Sequence, residues 1–449
     1  MPPAAVGRAA GRVAEPRTPP TPALPHLERL ESLGQRGMKL GLAAIDAICE
    51  RLGRPEGRVP SVLVAGTNGK GSAAATLSSI ADAAGLRVGL YTSPHLESVT
   101  ERVRIGRDDV RADALDAVLG AVFEAADRAP ALPLTYFEAM TAAAFLHFAG
   151  LGLELAVLEV GLGGRFDATN VAPAVLSAVT SISLDHVEDL GGTVAAIAFE
   201  KAGVFRPARP ALVASRIPEV VAVLREAAAR TGAALHLLAD ETSIEAERPD
   251  LAATRFRLAT PSGRYALTTP LPGAHQAENA AVAVRAAELL APDFRIGSEA
   301  IVRGVATVRW PGRLERFDRA GRTILLDGCH NAGGAEALAR FVSDSGRRAD
   351  LIFGAMADKD VESMGAALAP AVRRVRFVPA ASPRAAAPEE LARRFGARGD
   401  ARVAPGLPAA LDELLRDPEG ELIIIAGSLY LVGEARGLLL EGAFSRMRP

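Results

Sequence analysis

The chain has 449 residues, of which 49% are apolar, so it is long enough for two or three domains with large buried cores. Its 51 basic and 53 acidic residues leave a formal net charge of −2, which gives no whole-chain electrostatic reason to expect nucleic acid or an anionic membrane as a partner. No apolar run approaches the ~20 residues that a membrane-spanning helix needs. With only two cysteines, Cys49 and Cys329, a disulfide framework is not expected and a reducing cytoplasm fits.

Residues 1–25 are rich in proline, alanine and arginine and lack the apolar centre of a signal peptide, so we expect a flexible tail there. After the tail, apolar runs that are typical of strands occur at 61–65, 88–91, 155–158 and 176–182. Between them lie helical patterns near 72–84, 112–128 and 137–149. Continuous apolar strands that alternate with helices predict a mostly parallel α/β sheet covered on both faces.

A hairpin is predicted where the runs 256–259 and 265–268 flank a Pro-Ser-Gly turn, and we expect it on an antiparallel edge of the sheet. The stretch 290–296, which contains Pro292, is expected to break the helix that begins near Gln276. A second series of strands then alternates with helices, at 323–326, 351–353, 375–378 and 422–425. The chain is therefore divided into the tail at 1–25, a first domain at 26–295 and a smaller α/β domain at 296–449.

The run Gly66-Thr-Asn-Gly-Lys-Gly-Ser72 follows the first strand directly and opens a helix. Its glycines let backbone N–H groups approach phosphate oxygens, and the helix N-terminus adds free donors and a favourable dipole. Lys70 can supply positive charge at the β and γ phosphates, and Ser72 can offer a hydroxyl to phosphate or magnesium. The run departs from the common G-x-x-x-x-G-K-[ST] loop because Gly71 follows Lys70. The alternative is a glycine turn that binds nothing.

This run resembles the nucleotide loop of the Mur-type ligases, and more closely that of their folylpolyglutamate synthase/dihydrofolate synthase branch. Further stretches resemble the same branch and occur in family order: Thr92–Leu96, Thr135–Glu138, Glu159–Asn170, Asp185-His186, Glu200–Gly203, His275–Asn279, Trp310–Glu315, Asp327–Asn331 and Gly427–Gly433. The resemblance implies a Mur-ligase-type ATP-binding domain at 26–295 and a Rossmann-like glutamate-ligase domain at 296–449. It implies ATP contacts from Thr67, Asn68, Gly69, Lys70, Gly71, Ser72, Asn279, Arg313 and Asp327.

Glu159 ends an apolar strand, where open α/β sheets place their ligand crevice, and its carboxylate is a hard oxygen ligand suited to Mg²⁺. The resemblance assigns Mg²⁺ to Ser93, Glu159 and His186. It also matches Lys201 to a lysine that reacts with CO₂ to form a carbamate, which can bind Mg²⁺. Without the resemblance, Lys201 is interpreted as a solvated lysine near a helix C-terminus, and His186 as a hydrogen-bonded surface histidine.

The reaction that the resemblance implies is carboxylate activation, in which ATP forms an acyl phosphate and the amine of L-glutamate then displaces phosphate. The catalytic candidates are Lys70, Lys201 and His330. Of these, His330 can contact phosphate or glutamate. Arg313 and Asp327 are expected to reach the nucleotide across the cleft, the alternative being an ion pair between the domains. Cys329 and Ala332 stand where this branch usually has alanine and proline.

The folate substrate is expected at positions that match a dihydropteroate site: Thr135, Tyr136, Phe137, Glu138, Phe166, Asp167 and Ala168. Phe137 and Phe166 can stack on a pterin, and core packing is the alternative. We expect both dihydrofolate synthase and folylpolyglutamate synthase activity. The alternatives are the second activity alone, another Mur-type amino-acid ligase, or a nucleotide-binding module without catalysis.

A cell-wall ligase would carry a UDP-binding domain before the phosphate loop, and the 65 residues before Gly66 leave little room for one. The expected small-molecule partners are dihydropteroate or a reduced folate, L-glutamate and ATP. We expect a cytoplasmic monomer without nucleic-acid or membrane partners.

Overall fold

The protein is described here from a computed structural model, which describes residues 23–34, 41–185, 187–247, 250–396, 399–417 and 420–444. Most of the tail expected at 1–25 lies outside these residues. The predicted metal ligand His186 lies outside them as well, so its position stays a prediction.

The strands of the first sheet follow the chain as β1 Ser61–Ala65, β2 Val88–Tyr91, β3 Val103–Ile105, β4 Asp108–Asp109, β5 Leu155–Glu159, β6 Leu176–Val179, β7 Pro210–Val213 and β8 Ala234–Leu237. They lie in the order β4-β3-β2-β5-β1-β6-β7-β8. Neighbouring strands from β2 to β8 are parallel, whereas β3 and β4 add an antiparallel edge. The predicted mostly parallel sheet is therefore confirmed.

Helices cover both faces of this sheet: α1 Pro25–Leu33, α2 Ala43–Arg51, α3 Lys70–Ala83, α4 Ala112–Asp127, α5 Tyr136–Leu151, α6 Val187–Leu190, α7 Val194–Lys201, α8 Pro218–Thr231, α9 Leu238–Glu241, α10 Ala274–Phe294 and α11 Ser298–Thr307. The central strand β1 shows why. Val62 and Val64 pack in the core with α3 and α10, whereas Leu63 and Ala65 pack in the core with α4 and α5. Because successive side chains of a strand point to opposite faces, an entirely buried strand needs cover on both sides.

The predicted hairpin is present as β10 Thr254–Thr260 and β11 Gly263–Thr269. It does not extend the edge of the main sheet as expected, because it pairs with β9 Ser243–Ala246 in a separate three-stranded antiparallel sheet. Phe256 and Leu258 of this small sheet are buried against the core that contains α10. The Pro-Ser-Gly turn between two strand-like runs predicted the hairpin, whereas the strand with which it pairs depended on this packing.

The helix break expected within 290–296 is confirmed, since α10 runs through Pro292 and ends at Phe294. Pro292 lies in the last turn, and the helix ends where Arg295 adopts a left-handed φ of 54°. The next helix, α11, packs in the same core as α3 through Ile301 and Val305. We therefore place the end of the first structural unit after α11, beyond the boundary expected at 295.

The second unit contains β12 Arg313–Arg319, β13 Arg322–Asp327, β14 Ala349–Phe353, β15 Val372–Phe377, β16 Asp400–Val403 and β17 Leu422–Ala426. These strands lie in the order β12-β13-β17-β14-β15-β16, all parallel except β12. The covering helices are α12 Ala332–Ser345, α13 Val361–Leu368, α14 Pro388–Phe395, α15 Leu407–Arg416 and α16 Leu429–Phe444. The expected smaller α/β domain is confirmed. Across the described ranges, no helix combines the length and apolarity needed to cross a bilayer.

Candidate active site

The segment Gly66–Ser72, the predicted phosphate loop, runs from the end of β1 into the first turn of α3 at the carboxyl edge of the first sheet. Gly66 and Gly69 have φ values of 146° and 85°, in the region that favours glycine. A Cβ on Gly66 would overlap the hydroxyl of Thr180, and a Cβ on Gly69 would overlap the amide oxygen of Asn279. The glycines therefore allow both the turn and the close packing that start α3 facing the cleft, where its free N–H groups suit an anion.

The residues after β6 hold the phosphate loop by hydrogen bonds. Thr67 N donates to the carbonyl oxygen of Ser181 at 2.7 Å, and Thr67 Oγ1 donates to the carbonyl oxygen of Ser183 at 3.1 Å. These bonds explain why β6 ends at Val179 and not at 182 as predicted, since the following backbone groups pair with the loop.

Two lysine side chains reach the same backbone oxygen in this loop. Lys70 Nζ lies 3.1 Å from the carbonyl oxygens of both Gly66 and Thr67. Lys201 Nζ, at the end of α7, lies 2.7 Å from the Gly66 oxygen. Lys201 is only 4% exposed, so its interpretation as a solvated helix-end lysine is wrong. Burial, and next the charge of Lys70, lowers the pKa of Lys201 to about 7, which leaves much of the amine uncharged near neutral pH.

Glu159 is the last residue of β5 and is buried beside the phosphate loop. Its carboxylate accepts a hydrogen bond from Ser93 N at 3.2 Å. Burial raises the pKa of Glu159, while the charge of Lys70 acts in the opposite direction. In the part of the chain that the structure describes, no three His, Cys, Asp or Glu side chains surround a common point. The described candidates for a metal site are thus Glu159, Ser93 and Lys201.

Arg313 and Asp327 stand opposite each other on β12 and β13 of the second sheet. Because both belong to one domain, an ion pair of these two residues with each other would not join the domains. The Asp327 carboxylate accepts hydrogen bonds from Leu314 N at 3.1 Å and Cys329 N at 3.0 Å. Burial raises the pKa of Asp327, and the nearby Arg313 counteracts this. The backbone thus holds this carboxylate at the end of its strand.

His330 follows at the same strand end, with Nδ1 2.9 Å from the carbonyl oxygen of Gly328. A carbonyl oxygen only accepts hydrogen bonds, so Nδ1 carries the proton and Nε2 keeps its lone pair. Burial lowers the pKa of His330 to about 4. The ring is therefore neutral near pH 7 and can accept a hydrogen bond, but it supplies no positive charge to a phosphate.

The two domains line one cleft of about 410 Å³. Its lining includes every predicted catalytic and ATP-binding residue and each described metal candidate: Thr67, Asn68, Gly69, Lys70, Gly71, Ser72, Ser93, Glu159, Lys201, Asn279, Arg313, Asp327 and His330. Tertiary structure thus brings together residues that lie far apart in the sequence, from Thr67 to His330.

None of the seven predicted substrate-binding residues lines this cleft, but two of them, Phe137 and Asp167, adjoin its wall. Gly161 and Leu162 form part of the cleft wall. A Cβ on Gly161 would contact the Phe137 ring at 2.7 Å, and Leu162 N donates to the Asp167 carboxylate at 2.9 Å. Two of the predicted folate positions therefore lie directly behind the cleft wall.

Within this set, several side chains already have structural partners. Thr135 and Glu138 form a capping box at the start of α5, in which Thr135 Oγ1 accepts from Glu138 N at 3.2 Å and Glu138 Oε2 accepts from Thr135 N at 2.8 Å. Asp167 accepts from Thr169 N at 3.0 Å, and Ala168 is buried.

The aromatic members of the set differ in exposure. Phe137 packs near Tyr91, with ring centroids 6.1 Å apart, and Tyr136 lies beneath the guanidinium of Arg102 at 4.9 Å. Phe166, in contrast, is 46% exposed. Its ring is thus the one most available for stacking on a planar ligand.

Asn331 follows the cleft-lining residue His330, and the sequence reasoning assigned it no role. It is 5% exposed, precedes α12 as its N-cap, and donates a hydrogen bond to Asn68 of the phosphate loop at 3.1 Å. An asparagine just before a helix predicts a cap. Nothing in the local sequence indicates the second contact.

Comparisons with known proteins agree with this arrangement. The Mur ligase middle domain matches residues 64–287, and the Mur ligase glutamate ligase domain matches residues 312–429. The dihydrofolate synthase/folylpolyglutamate synthase of Bacillus subtilis is 34% identical over 413 residues, which cover 89% of this chain and 95% of that protein. The Mycobacterium tuberculosis protein of the same name is 33% identical and covers 88% and 89%.

Solved structures give the same result. Folylpolyglutamate synthase from M. tuberculosis complexed with ADP has a TM-score of 0.85 at 33% identity, covering 93% of this chain and 98% of that one. E. coli FolC in complex with DHPP and ADP has a TM-score of 0.85 at 31% identity, covering 94% and 100%. The chain therefore belongs to the Mur ligase family, within its branch of ATP-dependent ligases named dihydrofolate synthase/folylpolyglutamate synthase.

Proposed function

We propose that this chain joins L-glutamate both to dihydropteroate and to folylpolyglutamate. ATP transfers its γ-phosphoryl group to the substrate carboxylate, which gives ADP and an acyl phosphate. The amine of glutamate attacks the acyl carbon, phosphate leaves, and an amide remains. The observation that carries this proposal is the single cleft in which the phosphate loop faces Asp327 and His330 of the second domain.

The loop Gly66–Ser72 is proposed to hold the phosphates of ATP. The N–H groups at the start of α3 suit phosphate oxygens, and Lys70 can neutralise charge on the transferring group. Asn279 adjoins Gly69 from α10, which favours a contact with the nucleotide. From the second domain, Arg313 suits a phosphate and the acceptor Asp327 suits a hydroxyl or amine of the nucleoside.

Mg²⁺ is assigned to Ser93, Glu159 and His186, with a carbamate on Lys201 as a further ligand. The described residues fit this ion, because Glu159 is a carboxylate whose burial a divalent cation would offset. When bound, Mg²⁺ neutralises and orients phosphate oxygens. The uncharged amine of Lys201 can attack CO₂ and release a proton, and the buried setting at Gly66 supports this step.

His330 is proposed to contact the incoming glutamate. Its Nε2 has a lone pair, because Nδ1 donates to Gly328. A neutral acceptor beside the acyl phosphate suits the glutamate ammonium or amine better than it suits a phosphate. The sequence left open whether His330 contacts phosphate or glutamate, and the neutral ring favours glutamate.

For the folate acceptor, the exposed ring of Phe166 supports stacking on a pterin, with Phe137 nearer the core. The E. coli relative was solved with DHPP and ADP together, and several relatives carry both activities in their names. These observations favour two activities over folylpolyglutamate synthase alone. They also favour a folate substrate over a cell-wall precursor or a module without catalysis.

We retain the proposal of a cytoplasmic monomer without nucleic-acid or membrane partners. Cys49 and Cys329 are both free thiols, which fits a reducing compartment. Size-exclusion chromatography with light scattering tests the monomer.

The proposal is tested by ADP release from purified protein with glutamate and one acceptor at a time. Dihydropteroate and tetrahydrofolate should both support ADP release that depends on glutamate, and a UDP-muropeptide should not. Release with tetrahydrofolate alone would restrict the activity to folylpolyglutamate synthesis. Release with the UDP-muropeptide alone would contradict the folate assignment.

A further inference from the structure

Asn331 lies in the second domain, yet two of its side-chain hydrogen bonds reach the first. Its Oδ1 accepts from Gly334 N at 2.9 Å, which caps α12. Its Nδ2 donates to Asn68 Oδ1 at 3.1 Å and to Asp185 Oδ2 at 2.8 Å. Asn331 is only 5% exposed, so water competes little for these hydrogen bonds, which strengthens them.

The partners of Asn331 are themselves held in place. Asn68 Nδ2 donates to Ser183 Oγ at 3.3 Å, which leaves Asn68 Oδ1 facing the second domain. Lys359, also of the second domain, places Nζ 3.3 Å from Asp185 Oδ1. The two side chains of this ion pair are only 14% and 11% exposed. Two residues of the second domain, Asn331 and Lys359, thus contact the same carboxylate of the first domain.

We infer that Asn331 is a positioning residue, which holds the phosphate loop in place from the second domain. We call its hydrogen bonds to Asn68 and Asp185 the brace, and the Asp185–Lys359 ion pair supports it. The inference rests on the proposed assignment of residues 66–72 to the phosphates of ATP. A primary amide supplies two N–H donors and one acceptor from a single group, and all three are used here. Nucleotide binding and docking of the glutamate-ligase domain should therefore support each other.

Two substitutions separate the brace from the helix cap. Asn331→Asp keeps an oxygen for the cap but removes both donors and places a second carboxylate beside Asp185. Asn331→Ala removes the cap and the donors together. Asp360 provides the matched control, because it caps α13 of the same domain by accepting from Ser363 N at 3.0 Å. Asp360→Ala loses a cap within the second domain only.

The measurements are the dissociation constant of ADP by calorimetry and the thermal unfolding midpoint of each folded protein. Both Asn331 variants should bind ADP about tenfold more weakly than wild type, because the hydrogen bond to Asn68 and the charge-assisted hydrogen bond to Asp185 are both lost. Asp360→Ala should bind ADP like wild type although its unfolding midpoint falls. Asn331→Asp should unfold closer to wild type than Asn331→Ala does. In a double-mutant cycle with Asn68→Ala, the losses should be less than additive.

Wild-type ADP affinity in folded Asn331→Asp would overturn the inference, and so would additive losses in the cycle. Lys70→Ala distinguishes this failure from a failure of the proposed phosphate site. Weak ADP binding in Lys70→Ala with normal binding in Asn331→Asp rejects the brace alone, whereas normal binding in both rejects the loop assignment as well. If Asn331→Asp does not fold, Lys359→Met serves as the test, because it removes the other contact of the second domain with the Asp185 carboxylate. Unchanged ADP affinity in Lys359→Met would then contradict the brace.

Discussion

Lys201 Nζ lies 2.7 Å from the carbonyl oxygen of Gly66, so a buried amine at the end of α7 touches the first residue of the phosphate loop. The same oxygen is 3.1 Å from Lys70 Nζ. Two ammonium groups around one oxygen repel each other, and the burial of Lys201 disfavours its charged form further. This relationship gives the proposed carbamate a physical basis, because only the uncharged amine attacks CO₂.

If Lys201 is carbamylated, Lys201→Ala and Lys201→Arg should both lose activity by about 100-fold or more, which is the scale of removing a transition-state contact. A guanidinium keeps its positive charge and cannot form the carbamate. Short carboxylates added to Lys201→Ala should restore part of the activity, whereas Lys201→Arg should not respond. The measurement is ADP release, together with intact mass under conditions that preserve carbamates. Full activity in Lys201→Arg would disprove the carbamate.

Lys70→Ala should nearly abolish turnover, with a loss of about 100-fold or more in kcat. The reason is that Lys70 supplies the positive charge within the loop that faces the second domain. Circular dichroism and thermal unfolding serve as the control for folding. Near-normal ADP release by a folded variant would contradict the role of this lysine.

Glu159→Gln and His186→Ala should each raise the Mg²⁺ concentration needed for half-maximal activity and lower the maximal rate. Glutamine keeps the shape of Glu159 but removes the negative charge, and this charge is what a hard cation requires. A Mg²⁺ titration of ADP release at saturating ATP measures the effect. Titration curves identical to wild type in both variants would remove the metal assignment.

Thr135→Ala and Phe166→Ala should act on different properties. Thr135→Ala breaks the capping box of α5 and should lower the free energy of unfolding by about 1 kcal/mol. Phe166→Ala removes a ring that is 46% exposed, so stability should hardly change while the KM for dihydropteroate rises. Denaturant unfolding and initial rates separate the two effects. A wild-type KM for dihydropteroate in Phe166→Ala would show that Phe166 is a surface residue that makes no contact with the substrate.

Much of the fold was predictable because local patterns determined it. The buried runs at 61–65, 88–91 and 155–158 became strands within about one residue of their predicted limits. The edge position of the hairpin was wrong, because packing against the core that contains α10 decided it. The roles assigned to individual site residues, and His186 in particular, stay predictions.

The sequence by itself determined the alternation of strands and helices, the glycine-rich loop and the order of the family motifs, since these depend on residues close together along the chain. The tertiary structure decided which distant groups meet. Burial beside Gly66 lowers the pKa of Lys201 and so gives a physical basis to the carbamate that the family resemblance implies, and Asn331 contacts Asn68 across the two domains. Neither property can be read locally, because desolvation and hydrogen bonds between domains depend on what the rest of the chain places around a side chain.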